Sequence, residues 1–350
     1  MAARSTPPAP GRPFWRAAVL AAALGPVLGN PLHAAATQPP STRAAARLPQ
    51  ALQAPMLGLA CAGNRQVAVG DHGVVLLSDD GGAQWRQARS VPVDVTLTAV
   101  SFADARQGWA VGHRGTVLHT QDGGETWAAQ RSNDATGGED RPLFSVHFFN
   151  PREGVAVGLW STVLRTEDGG RSWQAQDTGL GKASGRADLN LYQLFTDAQG
   201  RLYATAERGT VLRSRDRGRS WEALATGQAG SLWSGVALPG GRLVVAGLGG
   251  ALLRSDDEGR SWQALGSGAR SALAGLAASA DGTELLAVGA DGTQLLSRDG
   301  GSSFALQQRP DRLPLLAVGR CGTAAWTVMG AAGPVVPVVP VVPVTSPGKR

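Results

Sequence analysis

Residues 78–85 read SDDGGAQW, and the phrase returns as TQDGGETW from 120, TEDGGRSW from 166, SRDRGRSW from 214, SDDEGRSW from 255 and SRDGGSSF from 297. Its aspartates, Asp80, Asp122, Asp168, Asp216, Asp257 and Asp299, are spaced by 42, 46, 48, 41 and 42 residues. A period of that size suits a unit of about four short strands, the repeat of a β-propeller. The expected fold is therefore all-β.

The phrase reads as a hairpin turn. Ser/Thr and Asp side chains bond backbone groups a few residues away, and Gly supplies a positive φ that other residues reach only at a cost. The closing aromatic, Trp85, Trp127, Trp173, Trp221, Trp262 or Phe304, then starts a strand and packs its ring on the sheet. Six repeated carboxylates also invite an ion-binding or catalytic reading. Catalysis by paired carboxylates needs two of them converging on one substrate, whereas equivalent turns of a ring stand far apart. The six aspartates are accordingly assigned to structure.

A second frame runs in step with the first. Strands such as QVAVG (66–70), GWAVG (108–112) and GVAVG (154–158) lead into a Gly-x-x-Gly turn and a second strand such as TVLHT or TVLRS. Short β-branched runs bounded by glycine are the mark of paired strands. The frame begins at Gly70, Gly112, Gly158, Ala206, Gly247, Gly289 and Gly330, so there are seven units but six boxes. The propeller is expected over 51–336, with seven blades and a ring closed by strands from both chain ends. Residues 42–54, within and beyond a linker at 37–50, are the expected N-terminal contribution, since closure removes an exposed edge. Pro337, Pro340 and Pro343 remove ladder donors from the Pro/Val-rich tail 337–350, which is expected to be edge or linker.

The first 36 residues have the plan of a secretory signal. Arg4, Arg12 and Arg16 precede the apolar run Ala17–Gly29, and Ala34, Ala35 and Ala36 offer small residues for cleavage. The apolar run is shorter than the roughly 20 residues of a membrane span, so an exported, periplasmic protein is expected rather than an anchored one. Removing the segment takes away three arginines and no acid, lowering the net charge from +6 to +3. That balance, with no recognisable nucleic-acid motif, points away from nucleic acid as a partner. Cys61 and Cys321 fall in the first and last repeats, which a ring makes neighbours. An oxidising compartment would allow them to pair; two buried free thiols are the alternative.

In an up-and-down blade the boxes and the Gly-x-x-Gly turns lie on opposite faces. The middle residues of the latter are Asp71-His72, His113-Arg114, Leu159-Trp160, Glu207-Arg208, Leu248-Gly249, Ala290-Asp291 and Ala331-Ala332. Bulky polar and aromatic members gather in blades one to four. Two long interblade links on the same side add Arg131, Arg141, Lys182 and Arg186. Loops on a rigid scaffold are where binding usually resides, and Trp with Arg is the composition of protein-binding hot spots. The candidate partner-binding residues are thus His72, His113, Arg114, Arg131, Arg141, Trp160, Lys182, Arg186 and Arg208; ordinary solvated turns are the alternative. His72 and His113 without a third ligand are weak support for zinc, so no metal, cofactor or small-molecule substrate is expected.

The seven-unit count, the GWAVG strand, the Gly-x-x-Gly-T-V-L turn and the T-x-D-G-G-x-(T/S)-W box together resemble the Ycf48/HCF136 family of photosystem II stability and assembly factors, related to WD40/YVTN/BNR-like repeat proteins. The resemblance covers roughly residues 50–336. It implies a non-catalytic monomeric propeller that helps assemble or stabilise a membrane protein complex from the exported side. It also implies an arginine-bearing patch to which Arg114 and Arg208 could contribute. Two rivals stand beside it: a sialidase-like exo-glycoside hydrolase and a carbohydrate- or peptide-binding propeller. The hydrolase needs an arginine triad, a Tyr nucleophile with a Glu partner and usually an Arg-Ile-Pro motif. That motif is absent, and the two tyrosines, Tyr192 and Tyr203, fall in blade-four strands.

Overall fold

The first repeat folds into four antiparallel strands, β1 (Met56–Ala62), β2 (Arg65–Gly70), β3 (Val75–Ser78) and β4 (Arg86–Gln87), bonded in that order. In this computed structural model, which describes residues 43–132, 141–179, 188–322 and 324–335, the motif recurs around a ring. Six sheets have four strands and the seventh has three. The signal-like segment 1–36 and the tail 337–350 lie outside the described residues.

The expected N-terminal closing strand is corrected. Pro49–Gln53 forms a 3-10 turn, with Pro at its start, where the fixed φ of proline suits a helical turn better than a ladder. It packs beside the third strand of blade seven, Gly333–Val335, so closely that a Cβ on Gly333 would sit 1.9 Å from the Leu52 carbonyl oxygen. The last blade therefore has three strands among the described residues, and the seam is closed by other means.

The core is divided among the interfaces. Seven apolar clusters each fill one gap between adjacent blades; Met56 and Leu76 of blade one, for instance, meet Ala317 and Met329 of blade seven. The middle strands are buried along their whole length, as in Gly108–Gly112 and Leu285–Gly289, because a propeller blade is covered on both faces. At the seam, Thr327 Oγ1 donates to Gln66 Oε1 over 3.0 Å, and Cys61 and Cys321 are joined by a disulfide with 5.7 Å between Cα atoms. The bridge spans 260 residues of sequence.

Each box is a self-contained set of hydrogen bonds. In blade three, Thr166 Oγ1 donates to Asp168 Oδ1 (2.8 Å) and accepts from the Gly170 amide (2.9 Å), while the Ser172 amide and hydroxyl donate to the two carboxylate oxygens (2.9 and 2.6 Å). Asp257 repeats the set with Ser255 and Ser261. The aromatic ring folds back on its own turn: Trp85, Trp127 and Trp262 donate their indole N–H to the carbonyls of Gly82, Gly124 and Gly259. The Asp168 and Asp257 carboxylates each accept three hydrogen bonds from their own turn.

Ion pairs stitch neighbouring blades on this box face. Arg86 reaches Glu125 at 2.5 Å, Arg217 reaches Glu153 at 2.5 Å, Arg201 reaches Glu258 at 2.6 Å and Arg320 reaches Glu284 at 2.6 Å. Exposed pairs of this kind contribute at most about 1 kcal/mol each, and they engage four arginines of that face.

Two outcomes are expected. Replacing Cys61 and Cys321 together by serine should lower unfolding stability by ~2–5 kcal/mol, the range for losing a long-loop disulfide, as read by denaturant titration; reductant should do the same to the native protein and nothing to the variant. Hydroxyl and amide donors from Ser172 and Ser261 hold Asp168 and Asp257 down to about 2. A carboxylate depressed in the folded state contributes stability that is complete above its unfolded value, about 4, and is lost as pH falls through its folded value. The melting midpoint should fall between pH 4 and 2, and Asp168→Asn with Asp257→Asn should flatten that dependence.

Candidate functional site

The opposite face is built by the turns joining the second and third strands and by the interblade links. The turns of blades one to six each carry two successive left-handed residues. The first is Gly249 in blade five, but His72 (φ 52), Arg114 (φ 56), Trp160 (φ 54), Arg208 (φ 55) and Asp291 (φ 56) hold the equivalent positions in blades one to four and six. For L-residues with a full side chain this conformation costs roughly 1–2 kcal/mol. Blade three goes further: Ser161, at the second glycine of the frame, also has a positive φ of 53. Its hydroxyl explains how the turn survives, since it accepts from the Leu189 amide (3.0 Å) while the Ser161 amide donates to the Leu189 carbonyl (2.7 Å). Strain held in place by surrounding structure is concentrated where one large side chain, Trp160, stands exposed.

Three of the sequence-selected residues come together there. The Arg141 guanidinium lies 5.7 Å from the Trp160 ring centroid, and both line, with Arg131, a cleft of about 550 Å3 floored by Leu143. Arg131 is half-buried and turned inward, donating to the Gly115 carbonyl at 2.7 Å, and burial lowers its affinity for the proton. It braces the cleft rather than reaching out of it. Arg208 and Arg114 are exposed on blades four and two, and His72 and His113 sit on the turns of blades one and two; none of these four lines the cleft. Lys182 and Arg186 lie outside the described residues. Among the described residues, no three His, Cys, Asp or Glu side chains cluster in a way that could hold a metal ion.

A hydrogen-bonded chain runs from the cleft to the axial channel. The Trp160 amide donates to Asn190 Oδ1 (3.1 Å), Asn190 Nδ2 donates to Glu207 Oε1 (3.0 Å), and the Tyr192 hydroxyl donates to the same oxygen (3.3 Å). Asn190 thus ties blade three to blade four, and Glu207 holds Asn190 and Tyr192 together within blade four.

The channel wall carries a feature that sequence inspection did not select. The inner strand of every blade has a register shift at its start: Met56/Gly58, Leu97/Ala99, Leu191/Gln193, Leu232/Ser234, Leu273/Gly275 and Leu315/Ala317, with the blade-three shift opposite Leu143. The shift sits at a crossing. A Cβ on Gly70, Gly112, Gly158, Gly247 or Gly289 would lie within 2.2 Å of a carbonyl oxygen of the chain entering that strand, while Ala206 holds the position in blade four with the same bulge. The first strand residue is then fully buried and the second is bulged toward the channel. In blades three, four and five that residue is aromatic: Phe144, Tyr192 and Trp233. Their rings stand 6.0 and 6.5 Å apart, and all three line the channel. An aromatic recurring one place after a strand-opening leucine was the available signal.

Residues 82–234 match the family model described as photosynthesis system II assembly factor YCF48, running from the box of blade one to the inner strand of blade five. The family resemblance is to Ycf48. A solved structure described as YCF48 bound to D1 peptide is 24% identical, with a TM-score of 0.64 over 83% of this chain and 94% of that one. YCF48 from Cyanidioschyzon merolae is 20% identical, with a TM-score of 0.65 over 82% and 95%. The propeller domain of Myceliophteria thermophila Cps50 (Swd1) gives 14% identity and a TM-score of 0.61 over 79% and 93%, so at these identities the likeness establishes the propeller fold. No curated protein matches the chain. The segment matching the Ycf48 model contains Arg114, Arg131, Arg141, Trp160 and Arg208 together with the three channel aromatics.

Burial, reinforced by the Glu207 charge, pushes the Tyr192 hydroxyl above its ordinary value of 10. Because Tyr203 is the one other tyrosine, ultraviolet titration of a Tyr203→Phe protein isolates Tyr192. Its midpoint should lie above 10 and fall when Glu207→Gln is added; an unchanged midpoint would show that Glu207 does not stand beside the phenol.

Proposed function

We propose that this protein is a non-catalytic, exported propeller that holds a peptide segment of a membrane protein complex and helps that complex assemble or persist. The single observation that carries the proposal is the strained Trp160–Ser161 turn, which holds an exposed tryptophan beneath Arg141 at the lip of a cleft. Tryptophan and arginine dominate binding hot spots, and residues kept in costly backbone conformations point to a use for the side chain so displayed. The likeness to a Ycf48 described as bound to D1 peptide supports a peptide of a membrane-embedded subunit as the class of partner. The signal-like segment 1–36 supports a periplasmic setting, and the protein acts as a monomer in this reading.

A hydrolytic reading has one observation to answer, the contact between Tyr192 and Glu207. Sialidase-type chemistry requires arginines around the substrate carboxylate, and no arginine lines the channel onto which Tyr192 opens. The phenol is also pushed toward its neutral form, whereas a nucleophile gains from easier deprotonation.

The test is a crosslinking pull-down from the native envelope with the wild-type protein and with Arg141→Gln, Trp160→Ala and Arg208→Gln combined. All three side chains are exposed, so the melting midpoint should hold within a few degrees. Recovery of the membrane-protein client should fall at least tenfold; undiminished recovery would refute the assignment of this face.

A further inference from the structure

The mouth of the axial channel is chemically unlike the cleft beside it. The bulged residue of each inner strand is left out of the ladder and re-aimed, which is what a bulge does. Register places these residues at one end of the channel: Met56 pairs with Gly70, Leu191 with Ala206 and Leu232 with Gly247, each the last residue before the turn that forms the cleft-bearing face. The channel mouth and the cleft therefore share a face. On one side of the mouth stand Phe144, Tyr192 and Trp233; on the other stand Leu57, Ala274 and Leu316. Among the described residues, no Asp, Glu, Lys or Arg lines the channel, whose volume is about 440 Å3, within the roughly 300–1,000 Å3 typical of ligand pockets. Burial holds its one histidine, His147, down to about 4, so the wall is uncharged near neutrality.

We propose that the channel mouth takes a single large apolar side chain, Phe or Leu in kind, from a peptide whose neighbouring acidic residue lies over Arg141 in the cleft. The proposal rests on the peptide-binding reading of the face and adds the anchor to it. The two subsites are adjacent along the chain: Leu143 lines the cleft, and the next residue, Phe144, lines the channel. Charge assigns the two ends of the segment, since the cleft lip is cationic and the channel is neutral. Ring centroids 6.0–6.5 Å apart leave aromatic edges and faces available at the 4.5–7 Å separations favoured by aromatic pairs.

Four polar side chains of the wall are already engaged within the protein. Thr98 Oγ1 donates to the Leu143 carbonyl (2.6 Å), Ser145 Oγ accepts from the Leu194 amide (3.0 Å), Gln193 Oε1 accepts from the Gly235 amide (2.8 Å) and the Tyr192 hydroxyl is bound to Glu207. The first three of these bonds join blade to blade and the last lies within blade four.

The experiment uses the mature chain and three fluorescein-labelled dodecapeptides of Gly, Ser, Asp and Glu that differ at one central residue, Phe, Leu or Gly. Binding is read by anisotropy. The Phe and Leu peptides should bind at least tenfold more tightly than the Gly peptide. Phe144→Ala with Trp233→Ala should reduce them to the Gly level, and Ala274→Trp, which fills the mouth from the opposite wall, should do the same. Arg141→Gln with Trp160→Ala should weaken all three peptides and leave their ratio unchanged. Equal affinities on the wild-type protein, or a ratio that survives the rim substitutions, would overturn the anchor and leave the cleft reading standing. Affinities indifferent to Arg141 and Trp160 but sensitive to the rim would overturn the cleft reading instead.

Discussion

Each blade of this protein is apolar on both faces and can cover neither alone. The seven clusters lie between blades, so the burial that stabilises any sheet is supplied by its two neighbours, and the array is complete only as a closed ring. The cost of an open end would fall on the first and last repeats together. That is where Met56 meets Met329, where Gln66 and Thr327 share a buried hydrogen bond, and where Cys61 is bonded to Cys321. A propeller whose strands from both ends share one blade closes by hydrogen bonds. Here side-chain packing and one covalent bond do that work.

Closure at fixed blade number also crowds the axis. The chain entering each inner strand passes over the end of the second strand, which is glycine in six blades and Ala206 in the fourth, and every inner strand bulges there. The bulges set seven side chains onto the channel wall. The box face carries the opposite condition. Its carboxylates are bonded within their own turns and several of its arginines to neighbouring blades.

Much of this was legible in residue order. The boxes announced hairpins because Ser/Thr, Asp and Gly stand at fixed offsets, and the structure shows the same side chains bonded to the backbone of the same turns. Trp160 and Arg141 could be picked by composition and topology together. The inward turn of Arg131 could not, because its partner is a backbone carbonyl, which sequence does not distinguish from any other. The N-terminal strand was expected from an unfilled place in blade seven, but Pro49 favours a turn and the packing against Gly333 leaves no room for a ladder. The aromatic arc was hidden by its own regularity. Phe144, Tyr192 and Trp233 look like alternating strand residues until the bulge shifts the register, and a bulge is a property of two strands meeting.

The left-handed turn positions have a consequence of another kind. The backbone repeats the same turn in blades one to six, yet the basic and aromatic members His72, Arg114, Trp160 and Arg208 fill one arc while Gly249 and Asp291 lie beyond it, and the channel aromatics belong to three adjacent blades. A scaffold with near-rotational symmetry has been given an azimuth. Anything that docks by matching both arcs can do so in one rotational setting out of seven, so orientation about the axis is decided by side chains that the fold itself does not need.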